Sequence, residues 1–231
     1  SVTTITHKEN FVEPFESTDW TNYYSPNWGY NGAQPTFERV TGDGAVKVTN
    51  PNADWTRALY RSAYTINNGE AVIVQFRLDV TATQQTILAL NSVTGGGYWR
   101  WGIKQVGSTL FVHTCTSSTN CDTKAGDSTL LSNIRPDHWY VLMLIVDPII
   151  ADPYDNQHFF LRVWDRDNPT NVGTYDADLT TGGWDDLDWR FMSKVQSGSV
   201  WLDEYSEGKV YSLSDTIYQT ITLFDGISGG T

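Results

Sequence analysis

The chain has 231 residues, a length that all-β sandwiches often reach within one domain. It carries 15 Lys and Arg against 27 Asp and Glu, so the net charge is −12, and no basic cluster interrupts the acidic background. Contact with a phosphate backbone needs clustered cations, so the composition argues against nucleic acid and against an anionic membrane surface. No apolar run approaches the roughly 20 residues of a transmembrane helix, so we expect no membrane insertion.

Alternation of apolar and polar residues with a period of two recurs along the chain, whereas helical periodicity is almost absent. The clearest case is residues 72–80, where Val, Phe and Leu occupy every second position. Further strands are predicted at residues 38–41, 45–49, 58–66, 86–91, 98–106, 109–114, 138–147, 158–165, 189–194 and 199–213. Short turns with Gly or Asn separate many of these segments, which favours antiparallel hairpins.

Residues 138–146 are apolar on both faces, which predicts a central strand covered on each side. The whole pattern predicts an all-β chain folded as a two-sheet antiparallel β-sandwich over residues 1–213. Residues 214–231 are compatible with a C-terminal strand, a short helix or a linker, so we expect the chain to be part of a larger multidomain protein.

Three segments resemble strands of concanavalin A-like and laminin G-like jelly-roll domains. The opening residues 11–17 with Trp20 resemble the first strand, and residues 159–165, with the hairpin that ends at Asn168 and Pro169, resemble a middle strand. Residues 199–205 resemble the closing strand, which in these folds pairs with the first. The resemblance is closest in character to carbohydrate-binding modules, but the architecture also hosts adhesion domains, glycoside hydrolases and polysaccharide lyases.

The enzyme alternative can be tested on residues. Hydrolases of this fold that cut β-glucans typically carry Glu-x-Asp-x-x-Glu on one strand, and the nearest match places Trp201 and Ser206 where the glutamates should stand. Alternation also puts Asp203 and Glu204 on opposite faces, which prevents a close carboxylate pair. A lyase would need a base beside a charge-neutralising group, for which Gln75, Arg77, Tyr98, Arg100 and His113 could converge on one sheet face.

Aromatic residues make up 13% of the chain and carry the binding hypothesis, because sugar rings stack on aromatic planes while their hydroxyls take hydrogen bonds. Tyr98 and Arg100 share a strand face with Gly102, which leaves room for a ligand near the backbone. The predicted ligand-binding residues are Trp28, Tyr30, Gln75, Arg77, Tyr98 and Arg100. We therefore expect non-catalytic binding of a polysaccharide, with a hydrolase or lyase and a structural or adhesion domain as alternatives.

The resemblance also implies a cation. Jelly-roll binding modules often hold a structural Ca²⁺ where the first and last strands meet, and the matching positions are Glu16 and Asp203. Calcium takes roughly six to eight oxygen ligands, so backbone carbonyls and waters would supply the others.

Cys115 and Cys121 flank a polar loop of a length that a disulfide could close at the end of a hairpin. Such a bridge implies an oxidising compartment, so we expect a secreted or cell-surface protein. Mass spectrometry after alkylation without reductant should find neither cysteine modified, and alkylation of both would contradict the disulfide.

Overall fold

The computed structural model describes residues 6–23, 28–30, 32–42, 44–49, 57–61, 70–80, 85–92, 99–114, 126–146, 158–178, 187–195 and 199–211. The strands are β1 (Thr6–Glu13), β2 (Trp28–Gly29), β3 (Thr36–Arg39), β4 (Val46–Thr49), β5 (Arg57–Arg61), β6 (Glu70–Leu78), β7 (Gln85–Ser92), β8 (Trp99–Val106), β9 (Thr109–Thr114), β10 (Gly126–Leu131), β11 (Tyr140–Val146), β12 (His158–Asp165), β13 (Val172–Asp178), β14 (Leu187–Val195) and β15 (Ser199–Tyr211). A short 3₁₀ turn spans Trp20–Asn22. Over these ranges, no helix is long and apolar enough to span a bilayer.

The strands form two antiparallel sheets, which confirms the predicted sandwich. Sheet I has the order β13-β12-β11-β6-β15-β4-β3, and β1 also pairs with β15. Sheet II has the order β10-β9-β8-β7-β14-β5-β2. The pairing of β1 with β15 runs from Thr6↔Tyr211 to Glu13↔Tyr205, so the first and last described strands are neighbours, as the resemblance implies.

The main core lies between the sheets and follows the predicted alternation. Val72, Val74, Phe76 and Leu78 of β6 are fully buried in it, and sheet II contributes residues such as Ile103. On β11, one set of side chains enters this core, while the other set joins Ala71, Ile73, Phe160 and Trp164 in a second buried cluster. Strand β11 pairs with β6 on one side and β12 on the other, so it is central, as its two apolar faces predict.

Sequence analysis did not predict three strands, β2, β10 and β13, each of which lies at the end of a sheet. Strand β2 has only two residues. Strands β10 and β13 have the polar sequences GDSTLL and VGTYDAD, which lack a clear alternation. They meet where the sheets come together, because a Cβ on Gly173 would clash with the backbone carbonyl of Leu130. Edge strands need fewer apolar residues, and this weakens the period-two signal.

A β-bulge divides β15 into two halves. Asp203 is opposite Gln75 and Ser206 is opposite Ile73, so β15 has one more residue than β6 between these pairs. Glu204 accommodates the extra residue with a φ of 48°. Strict alternation would put Tyr205 on the same face as Asp203, but the bulge turns it into the core, where it is fully buried.

The bulge also turns Glu207 inward, where it forms an ion pair between the sheets with Arg61 of β5. Arg61 Nε lies 3.1 Å from Glu207 Oε2, and a second contact joins Arg61 Nη2 to Oε1. The Tyr205 hydroxyl donates to Glu207 Oε2 at 2.6 Å. The Arg61 guanidinium lies 4.0 Å from the ring centroid of Phe11 and 5.4 Å from that of Trp28. Relative exposure is 4% for Arg61 and 1% for Glu207, so neither charge has water as an alternative partner.

This burial predicts how the pair responds to mutation. Glu207→Gln keeps an acceptor for Tyr205 but removes the carboxylate charge that contacts the buried Arg61 guanidinium, so we expect a loss of about 3–5 kcal/mol in the free energy of unfolding. The double variant Arg61→Met with Glu207→Gln removes the buried guanidinium as well and should recover part of that loss. Urea denaturation measures both variants, and a double variant less stable than Glu207→Gln alone would contradict the account.

Candidate functional site

A row of charged and aromatic residues crosses the outer side of sheet I, where Trp139 is buried at 3% exposure and the other members are partly or fully exposed. Register makes Lys47 the cross-strand partner of Glu38, Trp201 the partner of Lys47, and Arg77 the partner of Trp201. We call the six residues of this line the outer row: Glu38, Lys47, Trp201, Arg77, Trp139 and Arg166. Four of them lie on β3, β4, β15 and β6, and Trp139 and Arg166 adjoin the ends of β11 and β12. With strands about 4.8 Å apart, a line across these six positions extends for roughly 24 Å.

The last two members continue the line beyond β6. Tyr140 is opposite Phe76, so Trp139 lies beside Arg77, and the backbone N–H of Arg166 donates to the carbonyl of Trp139 at 2.8 Å. The Arg166 guanidinium is 5.6 Å from the Trp139 ring centroid. Its Nη1 also donates to Gln75 Oε1 at 3.1 Å, which orients the Gln75 amide on the same face.

Trp201 is the aromatic centre of the row. Its neighbours Val200 and Leu202 are buried in the core, so its side chain has the opposite direction, and it is partly exposed. The Nζ of Lys47 is 5.7 Å from its ring centroid and the guanidinium carbon of Arg77 is 4.9 Å away. The indole therefore has a cation on each side within cation–π range.

The loop that carries Arg166 is held by Asp165. Its Oδ1 accepts the backbone N–H groups of Asp167 at 2.9 Å and Asn168 at 3.2 Å, and its Oδ2 is 2.5 Å from His138 Nδ1. Burial disfavours the Asp165 carboxylate, but the hydrogen bonds from His138 and from the two backbone groups outweigh it and lower its pKa. Because Arg166 follows directly, Asp165 fixes one end of the outer row.

The predicted binding surface is not a single surface. Gln75 and Arg77 lie on β6 of sheet I, where Gln75 is buried at 6% exposure, whereas Arg100 is on β8 of sheet II. The expectation that these residues share one sheet face is therefore wrong. His113 is on β9 of sheet II, so the set suggested for a lyase is divided in the same way. Tyr98 lies outside the described residues, as do Cys115 and Cys121.

Trp28 is buried, and the expectation that its ring faces solvent is wrong. Its exposure is 1%, and its ring centroid is 5.4 Å from that of Phe15 and 5.1 Å from that of Tyr205. Two glycine-flanked aromatics looked like a surface loop, but Trp28 is opposite Arg61 and faces the ion pair between the sheets. Tyr30 is partly buried and packs against the core.

Of the two residues expected to bind calcium, Glu16 lies in the segment after β1 and Asp203 lies on β15, an interior strand of sheet I. Glu16 is exposed, and its backbone carbonyl accepts Arg39 Nη1 at 3.1 Å, while Asp203 is opposite Gln75. Across the described part of the chain, no group of three or more His, Cys, Asp or Glu side chains could hold a metal ion. Calcium binding stays a prediction, for which the melting temperature with and without EDTA is the measurement.

Sequence reasoning had missed Trp201, Lys47 and Arg166 as members of a site. Trp201 entered that reasoning only as a position where a catalytic glutamate was missing. Its signal was the alternation Val200-Trp201-Leu202, which places the indole opposite two core residues. No comparable signal identified Arg166, because its place beside Trp139 depends on the pairing of β11 with β12.

Comparison with known proteins shows the fold. No protein-family model matches the chain, and no curated protein sequence matches it. A protein of unknown function from Shewanella oneidensis MR-1 has a TM-score of 0.60 at 11% identity, over 92% of this chain and 90% of that one. A laminarinase from Flavobacterium sp. UMI-01 has a TM-score of 0.56 at 9% identity, over 87% and 100%.

A third structure is described with the endo-acting O-glycanases by which members of the human gut microbiota initiate mucin breakdown. Its TM-score is 0.57 at 10% identity, over 88% of this chain and 100% of that one. At these identities the likeness concerns architecture alone, and it agrees with the predicted concanavalin A-like sandwich.

The lowered pKa of Asp165 predicts a pH dependence of stability. A carboxyl whose folded pKa lies below its unfolded value, about 3.9 for Asp, stabilises the fold above that value and loses this contribution as the pH falls through the folded pKa. Asp165→Asn should therefore cost about 1–3 kcal/mol at pH 7, and less near pH 3. Urea denaturation at both pH values measures this, with the exposed Asp167→Asn as control. A difference that widens in acid would contradict the assignment.

Proposed function

We propose that the chain binds a polysaccharide through the outer row and does not cleave it. The observation that carries the proposal is the partly exposed Trp201 ring between Lys47 and Arg77. Sugar rings present apolar C–H faces that pack on indole planes, and their hydroxyls accept hydrogen bonds from ammonium and guanidinium groups. A partly exposed ring flanked by cations suits a sugar unit of a polysaccharide chain.

The comparisons lend support at the level of architecture. The laminarinase and the O-glycanases are named for action on glycans, and this chain is similar to them in fold. Because one fold hosts unrelated activities, the outer row carries the proposal and the likeness makes a glycan ligand the first class to test.

Binding is favoured over cleavage by the positions of the acidic residues. A retaining glycosidase needs two carboxyl groups about 5 Å apart and an inverting one needs up to about 10 Å. Glu38, the carboxylate within the row, is on β3, and Asp203 is on β15, with β4 between them and an offset along the strands. Glu207 faces the core and is held by Arg61 and Tyr205, so it does not complete such a pair.

The proposal also concerns where the protein acts. Because polysaccharides are commonly found outside the cytoplasm, we propose a secreted or cell-surface location within a larger multidomain chain, in line with the disulfide predicted between Cys115 and Cys121. A calcium ion at Glu16 and Asp203 would stabilise the sandwich without taking part in glycan contact, because the row is formed by other residues.

The role of Trp201 predicts separate effects on affinity and stability. Trp201→Ala should weaken polysaccharide binding about tenfold or more, and the partly exposed position should limit the loss of stability. Trp28→Ala removes a buried ring and should instead cost about 3–5 kcal/mol of unfolding free energy. Affinity electrophoresis against a panel of soluble polysaccharides, with thermal melting in parallel, measures both.

The matched control is Phe111→Ala, a partly exposed aromatic on β9 of sheet II. It should leave binding unchanged. Full affinity in Trp201→Ala would exclude the outer row as the site. Failure of the wild-type chain to bind any polysaccharide would favour the structural or adhesion alternative, and release of reducing ends or unsaturated sugars would favour a hydrolase or lyase.

A further inference from the structure

We propose that the polysaccharide is acidic and that Arg77 binds its carboxylate or sulfate groups. This inference rests on the proposed function and specifies the ligand class of the same surface. It starts from an imbalance of charge. The chain carries far more carboxylates than cations, yet three of the six residues of the outer row are cations: Lys47, Arg77 and Arg166.

Arg61, Arg135 and Arg166 each contact a carboxylate, whereas Arg77 does not contact one among the described residues. Its Nε donates to the carbonyl of Pro136 at 2.5 Å, and its guanidinium lies against Trp201. Over the described ranges, no carboxylate forms an ion pair with it, although Asp203 is only two residues from Trp201 on the adjacent strand. A partly exposed cation is thus fixed by a neutral carbonyl and an aromatic ring, which leaves its charge uncompensated.

The geometry of this anchoring suits an anion. With Nε engaged by Pro136, the two terminal amino groups of the guanidinium have no hydrogen-bond partner among the described residues. These planar N–H groups match the two oxygens of a carboxylate or sulfate. The Trp201 ring beside them would pack on the sugar to which the anionic group is attached.

The flanking cations can contribute at neighbouring sugar units. Lys47 has its carboxylate partner Glu38 at 3.7 Å, and Arg166 has Asp167 at 3.9 Å. Both carboxylates are more than 60% exposed, and ion pairs of this kind are weak in water, so an anionic ligand can replace them at little cost. The net charge of −12 repels a polyanion at long range, so a local row of cations is what an acidic ligand would require and a neutral one would not.

The test compares charged polymers with uncharged counterparts that have the same sugar backbone. The full chain is titrated with polygalacturonate and with its fully methyl-esterified form, and with dextran sulfate and dextran. We expect tighter binding of at least one charged polymer than of its neutral counterpart, with an affinity that falls as NaCl is raised from 50 to 500 mM. Arg77→Gln should weaken binding of the charged polymer at least tenfold, or about 1.4 kcal/mol, and flatten the salt dependence.

The matched control is Arg39→Gln, which makes the same change of charge at an exposed arginine whose guanidinium contacts the carbonyl of Glu16. It should retain affinity and salt dependence. Arg77→Lys keeps the charge without the planar N–H groups and should give an intermediate affinity, with unchanged melting for all variants. Equal or preferential binding of the neutral polymers would overturn the acidic ligand and leave the proposed function standing, whereas binding of no polysaccharide would overturn both.

Discussion

The buried ion pair between Arg61 and Glu207 is the contact on which the arrangement of the sandwich depends. It joins β5 of sheet II to β15 of sheet I, inside the core, with Tyr205 as a further hydrogen-bond donor and two aromatic rings against the guanidinium. A charge without access to water must keep its partner, so this contact allows few alternative positions of the two strands. Phe11 and Trp28 complete the enclosure, which is why Trp28 serves the fold and not a ligand.

The bulge at Glu204 lets one strand supply both this contact and the outer row. Trp201, Asp203, Tyr205 and Glu207 occupy alternate positions, and a regular strand would present all of them on one face. The extra residue reverses the alternation, so Trp201 and Asp203 face outward and Tyr205 and Glu207 face inward. The register pinned by Glu207 therefore also places Trp201 between Lys47 and Arg77.

Hydrogen bonds to neighbouring residues hold two cations of the row in place. Arg77 is fixed through Pro136, and Arg166 through Gln75 and the loop organised by Asp165. Side chains that are held before a ligand arrives lose less conformational entropy on binding, which favours recognition by a shallow surface. The row lies on regular strands over most of its length, so its spacing follows from the separation of strands in sheet I.

Sequence by itself determined the sandwich, because alternation in residues 72–80 and the two apolar faces of β11 report burial directly. It also supported the pairing of the first and last strands. It could not assign strands to sheets, so Gln75 and Arg77 were joined to Arg100, which lies in the other sheet. It could not reveal the bulge at Glu204 either. The outer row arises from cross-strand register, which depends on contacts between residues far apart in the chain, and no local periodicity encodes those contacts.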